Sequence, residues 1–565
     1  MLSQPRNRIL LALIIVGCLL GTAACGGSSG GGGSASPSVS APADPAKRAA
    51  ELVRGMSDEQ LVGQVLMPVA YGYDATNVSD EAAAHNRNLD GADTPAQIVR
   101  KYHLGGLMLV NQGGGPDPTA ETNPTSNIAT PKQVRKLTGG LQSAALGESG
   151  GLPMLVATDQ EFGVVTRIGT GVSALPTGLG LGAAHDPALT RRSWGMAGGE
   201  LAALGVNVDF APDADVLGGP GNAVIGSRSF GSDPQAVATQ TAAAVAGLQG
   251  AGVAATPKHF PGHGHTTTDS HQALPVLRQS RQNLDANDLR PFRSAIDADS
   301  WMVMAGHLDV RALDPGVPAT LSHTVLHDVL RDQLHFKGVV VSDALNMAPV
   351  TDRYDGGEAA VHALKAGNDL LLEPPNLAAA QHGLLHGLKS GELSRSRLVE
   401  AATRVLTLRG RLAAFHQPPL SDVHGGEHRA TAAAAASAAV TTMRGVCSGP
   451  LVHGPVALTG GTREKREWLA AGLKADGVTV SDDAPTQVAL TGYGDTAADL
   501  SPDADVTVGM DEPYLLSQVH SGTVLASFGA THESMTAVAH VLSGKAKATG
   551  RSPVPVDGLP ASACA

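Results

Sequence analysis

The amino-acid sequence predicts an α/β protein: a (β/α)8 barrel followed by a smaller three-layer α/β domain. Three observations carry this. Eight short, apolar, β-prone runs alternate with helix-like stretches over residues 46–415, polar and titratable residues gather just after those runs, and a second βα pattern begins past residue 430. Near-continuous apolar strands separated by helices indicate parallel pairing with both sheet faces covered.

The N-terminus comes first. Arg6 and Arg8 precede an apolar run over residues 9–20 that is too short for a transmembrane helix, and small residues then lead to Cys25. This layout predicts an export signal over residues 1–24. The Gly/Ser-rich residues 25–45 form a flexible tether that cannot bury a core. The small-small-Cys site resembles the lipobox of bacterial lipoproteins, which implies lipidation of Cys25, anchorage to the outer face of the cell membrane and partial secretion as a further outcome. Plain secretion after cleavage at Ala24 is the alternative.

The eight runs fall at residues 64–67, 106–110, 154–158, 206–210, 253–256, 301–304, 338–341 and 369–372. Ala-rich amphipathic stretches such as 234–249 and 359–366 lie between them, and Ser57 with Gln60 forms a capping box at a helix start. In such barrels the chemistry collects at the C-terminal ends of strands. Asp159 follows the third run, Asp213 the fourth, Lys258 and His259 the fifth, His307 the sixth, Asp343 the seventh and Glu373 the eighth. Any one of them is as easily a structural carboxylate or imidazole; six at the same structural position converge on one mouth.

Residues 416–430 read as a linker and 431–565 as the second domain, with strand-like runs at 451–452, 456–459, 487–491, 506–509 and 523–527 and helices at 465–476 and 534–542. No phosphate-cradling glycine pattern occurs there, and no cofactor is implied. Cys447 and Cys564 are an even pair in a chain expected to be exported, hence a candidate disulfide. A formal net charge of -12 argues against a nucleic-acid partner and against a polybasic membrane patch.

The densest chemistry lies in residues 258–271, where Lys258, His259, His263, His265, Asp269 and His271 crowd among glycines and a proline. Asp269 and His271 are two apart, which in an extended segment places both side chains on one side. A carboxylate beside an imidazole fixes its tautomer and tunes it for general acid/base work. A metal site from His263, His265, Asp269 and His271 is the competing reading, but the spacing matches no zinc signature, so no metal is assigned.

Lys258 to Gly264 with Asp269-Ser270-His271 resembles the signature of glycoside hydrolase family 3, in its β-N-acetylhexosaminidase branch. Asp159-Gln160-Glu161 leading to Arg167, Phe210-Ala211-Pro212 with Asp215-Val216, Gly226 to Gly231, Val303 to His307, Val341 to Leu345 and Ala366 to Leu371 are similar to family blocks in family order. By this resemblance Asp343 is the nucleophile and His271, held by Asp269, the acid/base, while Asp159, Arg167, Arg228, Lys258, His259 and His307 bind the terminal sugar. It implies retaining, exo-acting removal of terminal β-linked N-acetylglucosamine from glycans or muropeptides in peptidoglycan turnover. The same resemblance leaves a glycosyl phosphorylase or a β-glucosidase as alternatives, and outside the enzymes a sugar-binding lipoprotein. The chain departs from the family pattern at Phe162, where a glycine is usual, and at His265.

Overall fold

The computed structural model describes residues 44–110, 127–147, 150–222 and 224–564. The export signal, Cys25 and all but the last two residues of the expected tether lie outside the described residues. Asp44 caps the first helix, Pro45–Gly55, by accepting from the Ala46 amide. Among the described residues no helix is long and apolar enough to cross a membrane.

All eight apolar runs contain a strand: β1 Leu66–Met67, β2 Gly106–Met108, β3 Leu155–Thr158, β4 Val208–Asp209, β5 Ala254–Ala255, β6 Met302–Ala305, β7 Val339–Ser342 and β8 Leu371–Leu372. They close into a ring of parallel neighbours. Ladders join β2–β3, β3–β4, β4–β5, β6–β7 and β1–β8. Single parallel bridges, Val69 to Met108, Phe260 to Ala305 and Val341 to Leu370, complete β1–β2, β5–β6 and β7–β8. The pleat explains why these strands read as continuous apolar runs. Leu155, Ala157, Met302, Met304, Val339 and Val341 pack together inside the barrel, while their neighbours Val156, Val303 and Val340 pack outward under the helices. Burial on both faces leaves no position for a polar alternation.

The second domain is a five-stranded sheet. Four parallel strands, β10 Val456–Gly460, β11 Thr486–Thr491, β12 Val506–Gly509 and β13 Thr523–Ala526, lie side by side, and β9 Thr441–Arg444 pairs antiparallel with β13. Three sequence expectations differ. Residues 451–452 form no strand; their amides both donate to the Leu542 carbonyl at the end of a helix. β9 was not anticipated, since four residues ending in Arg444 carry little periodic signal. The expected linker 416–430 holds a 3-10 turn, Leu420–Asp422, and the start of a helix, Gly426–Ala439, whose Ala432, Ala435, Ala436 and Ala439 are buried. That helix packs against barrel helices Gly178–Ala184 and Pro187–Leu204 and against His532–Leu542 of the second domain. It wedges the domains together rather than spacing them apart.

Hydrogen bonds extend this union. The Thr177 amide and hydroxyl both donate to the Phe528 carbonyl, at 2.9 and 2.8 Å, and the Arg551 amide donates to Ala183 at 2.9 Å. A disulfide joins Cys447 to Cys564, tying the C-terminal strap beside β9.

Candidate active site

At the C-terminal ends of the barrel strands the side chains surround a cavity of about 930 Å³. Its floor is a buried ionic network. Beyond β3 the chain folds into a short antiparallel ribbon, Gln160–Phe162 against Val165–Thr166, which turns Glu161 inward and returns Arg167 to within 3.8 Å of the Asp159 carboxylate. Gln160 locks the ribbon by exchanging two 2.9 Å hydrogen bonds with the Ile168 backbone. Phe162, the departure noted above, sits at φ +69°, a left-handed conformation costly for an aromatic residue. Its ring is buried edge-on against Trp194 at 5.7 Å, which offsets that strain.

Lys258 Nζ lies between Asp159 Oδ1 at 2.6 Å and Glu161 Oε1 at 2.7 Å. Arg228, presented by the 3-10 turn Gly226–Arg228, donates to both Glu161 oxygens at 2.6 and 3.0 Å. Burial pushes the Glu161 carboxyl up, but Arg228 and Lys258 outweigh it and hold the group well below the usual carboxylate range. His259 donates from Nδ1 to Asp215 at 2.8 Å, so its Nε2, 3.3 Å from Arg228 Nη2, is the acceptor there. Burial and then the Arg228 charge push this imidazole down to about 4, so it is neutral. Burial likewise raises Asp215 to about 7.

Asp343 follows β7 directly. Its Oδ1 accepts from the Ala344 amide at 2.8 Å and its own amide donates to Ala305 at 2.9 Å, which fixes its place on the cavity wall. Burial works against its charge, yet His307, His259, the Ala344 amide and His271 together hold the carboxyl below its ordinary value. Asp343 is therefore the ionised carboxylate of the wall. Glu373, after β8, is pushed up to about 7 by burial, and Asn346 donates to it at 2.9 Å.

Asp269 and His271 stand at the rim, with side chains 32% and 67% exposed. The structure pairs them, but not through an extended strand. Asp269 Oδ1 accepts from both the His271 amide and Nδ1, each at 2.8 Å, in an Asx-type turn that aims the imidazole. Nδ1 is the donor, leaving Nε2 as the reactive nitrogen.

His307 is placed differently from its expected role in sugar binding. It is buried, its Nε2 donates to the Ala344 carbonyl at 2.9 Å, and its Nδ1 meets Thr320 Oγ1 at 2.8 Å. Because both ring nitrogens are engaged by the protein, it supports the Asp343 loop from behind and does not line the cavity. The other histidines of the loop also disperse: His265 pairs with Asp288 at 2.8 Å, and His263 with the Thr266 hydroxyl at 2.7 Å. His263 lines the cavity, and its buried Nε2 has no hydrogen-bond partner among the described residues.

Three residues of this site were absent from the expected set. Glu161 and Asp215 stand inside segments that resemble family blocks but carry no assigned role there; each lies two positions beyond a strand-end carboxylate, Asp159 and Asp213, so alternation is a second signal for them. Tyr493 comes from the second domain, and nothing near it in sequence announces it.

With this geometry in view, similarity to known proteins can be placed on the chain. β-Hexosaminidase A from Pseudoalteromonas piscicida is 32% identical over 378 residues, covering 62% of this chain and 61% of that protein, so the match spans less than two thirds of that relative's length. β-Hexosaminidase LpqI from Mycobacterium tuberculosis is 35% identical over 336 residues, 57% of this chain and 79% of that protein. The solved glycoside hydrolase family 3 β-N-acetylglucosaminidase from Paenibacillus sp. str. FPU-7 superposes with a TM-score of 0.77 at 31% identity, covering 89% of this chain and 99% of that one. The model of the glycosyl hydrolase family 3 N terminal domain matches residues 59–408, more than half of the sequence and nearly the whole barrel, and the chain belongs to that family.

Proposed function

We propose that the chain is a retaining exo-β-N-acetylglucosaminidase that removes terminal N-acetylglucosamine from β-linked glycans. One observation carries the reading: an ionised Asp343 and the Asp269–His271 pair border the same cavity, whose floor is the Asp159, Glu161, Lys258, Arg228 and His259 network. A buried, charged floor beneath a solvent-exposed dyad suits recognition of a chain end.

In the first step Asp343 attacks the anomeric carbon while His271 Nε2, protonated, delivers its proton to the glycosidic oxygen, which leaves as an alcohol. In the second, His271 takes a proton from water as that water attacks the anomeric carbon and Asp343 departs. Asp269 holds the ring in one orientation through both steps, as the orienting carboxylate does in other acid/base dyads. Lys258 and Arg228 hold Asp159 and Glu161 in place for the sugar hydroxyls, since Asp159 Oδ1 and both Glu161 oxygens accept charge-assisted hydrogen bonds. The relatives named β-hexosaminidase and β-N-acetylglucosaminidase support the same substrate class.

The finer reading is that the enzyme is exported, lipid-anchored through Cys25, and acts on muropeptides in peptidoglycan turnover. It is supported by the N-terminal layout of the sequence. The deciding experiment compares wild type with Asp343→Asn on 4-nitrophenyl N-acetyl-β-glucosaminide and on the β-glucoside, each with and without phosphate. The N-acetyl sugar is expected to be preferred, with turnover lost by about 10,000-fold or more in the variant. Full activity in Asp343→Asn would sink the assignment, and sugar 1-phosphate as the main product would replace hydrolysis by phosphorolysis.

A further inference from the structure

We infer that His323, His327 and Asp328 form a surface site for a divalent transition-metal ion of the zinc class, carried by the helix Thr324–Gln333. That helix is wound with i→i+5 hydrogen bonds over 10 residues, well beyond the single turn in which such winding is usual, and winding of this kind frequently marks functional sites. The winding decides which side chains meet. With a little over four residues per turn, positions 327 and 328 straddle the line through 323, and position 332 returns to it. An α-helix would turn Asp328 about 140° and Asp332 about 180° away from His323. The opposite face carries Val325, Leu326, Val329 and Leu330, which are buried with Val303 of β6 and Val340 of β7.

The distances are those of ligands around one ion rather than of hydrogen bonds. His323 Nδ1 lies 3.8 Å from Asp328 Oδ1, and His327 Nδ1 lies 3.5 Å from the same oxygen and 3.4 Å from Asp332 Oδ2. A charge-assisted hydrogen bond closes to about 2.7–2.9 Å. Two nitrogen or oxygen ligands on a tetrahedral zinc, each about 2.0–2.2 Å from the ion, stand about 3.3–3.6 Å from each other. One donor atom from each of His323, His327 and Asp328 lies within 4.8 Å of the other two. The imidazoles stack with centroids 4.6 Å apart and planes 17° from parallel, both presenting Nδ1 to Asp328.

The donor set narrows the choice of ion. Imidazole nitrogen with carboxylate oxygen suits zinc, nickel and copper, whereas magnesium and calcium take oxygen. All three ligands are exposed, and His323, His327 and Asp332 line a cavity of about 420 Å³, so the remaining coordination positions face water. Arg331, on the same wall, has its charge compensated by Asp369 at 2.5 Å and also donates to the Phe336 and Gly338 carbonyls. Among the described residues one other group of such side chains gathers as closely, Asp213, Asp215 and His259; it belongs to the active-site floor, with His259 already bonded to Asp215. An ion on His323, His327 and Asp328 would clasp successive turns of the helix that leads into β7, the strand that ends at Asp343.

The test uses the full chain, stripped with EDTA and dialysed, then titrated calorimetrically with Zn²⁺ alone and with Mg²⁺ alone. Wild type is expected to bind one equivalent of Zn²⁺ more than His327→Ala, and Asp328→Asn to weaken that equivalent about tenfold. His386→Ala, which breaks a second helical histidine pair, His382 with His386, should keep it. Because a ligand of the folded state stabilises that state, Zn²⁺ should also raise Tm more in wild type than in His327→Ala. Equal zinc stoichiometry in wild type and His327→Ala, unchanged affinity in Asp328→Asn, loss of the same equivalent in His386→Ala, or Mg²⁺ binding at the same strength would each overturn the site.

Discussion

Glu161→Gln asks whether the cavity floor is one electrostatic unit. In the native protein the Glu161 carboxylate accepts from Arg228 at 2.6 and 3.0 Å and from Lys258 at 2.7 Å, and the three side chains are 2%, 8% and 4% exposed. The amide removes the charge. Lys258 then keeps Asp159 at 2.6 Å, while Arg228 keeps neutral acceptors, the Val224 carbonyl at 2.8 Å and His259 Nε2 at 3.3 Å, and as a carboxylate partner only Asp213 at 3.8 Å, whose charge is disfavoured by burial and by Asp215. One cation stays in a close ion pair and the other loses its own. Removing one partner of a buried pair costs about 3–5 kcal/mol; with Lys258 still paired, the loss should sit near the lower end, about 3 kcal/mol. Urea unfolding followed by tryptophan fluorescence reads it, since Trp194 and Trp301 report on the barrel. In Glu161→Gln combined with Lys258→Met the two losses should fail to add by about 1 kcal/mol or more, as expected for residues sharing one network. A loss below about 1 kcal/mol in the single variant, or strict additivity in the double, would refute the network argument and reduce these contacts to the standing of surface pairs.

Two further outcomes follow from the same reasoning. His271→Ala should lower kcat by about 100- to 10,000-fold on phenyl N-acetyl-β-glucosaminide and far less on the dinitrophenyl glycoside, whose leaving group needs no proton; Asp269→Asn should show the same pattern more weakly. Equal losses on both glycosides would remove His271 from the acid role. Asp369 is buried, yet Arg331, Arg397 and Arg404 at 2.5, 3.0 and 3.0 Å outweigh that burial and hold its carboxyl below the ordinary value. A depressed carboxyl contributes stability that is present above its unfolded value and lost as pH falls through the folded one. The stability gap between wild type and Asp369→Asn should therefore be full at pH 7, about 3 kcal/mol, and close as urea midpoints are taken below pH 4; a gap constant with pH would exclude this linkage.

Much of this architecture was legible because barrel strands are buried on both faces. A run such as residues 339–341 has to be apolar at every position, so it stands out from its amphipathic neighbours. Strand-end chemistry was legible for a related reason: a carboxylate or lysine directly after such a run has only the mouth of the barrel to face. Hence Asp159, Lys258 and Asp343 were found, and Glu161 and Asp215 were one alternation away. His307 shows the limit of that rule. Its position after β6 matched the others, but whether a side chain enters the cavity or turns back depends on what stands behind it, and here Thr320 and the Ala344 carbonyl satisfy both ring nitrogens. The Asp269–His271 contact was anticipated from extended backbone and is made by a turn instead, since the carboxylate binds both the amide and the ring two residues on.

The sequence by itself determined the barrel, the order of its strands and which residue types stand at its mouth, because periodicity and strand-end position are local properties that each segment carries alone. Only the tertiary structure decided which charges pair on the floor, that residues 426–439 form a wedge between domains, and that Tyr493 reaches a cavity built by the other domain. Those facts depend on separations of tens to hundreds of residues closing to a few ångströms, and closure is set by packing between surfaces whose match no single segment encodes.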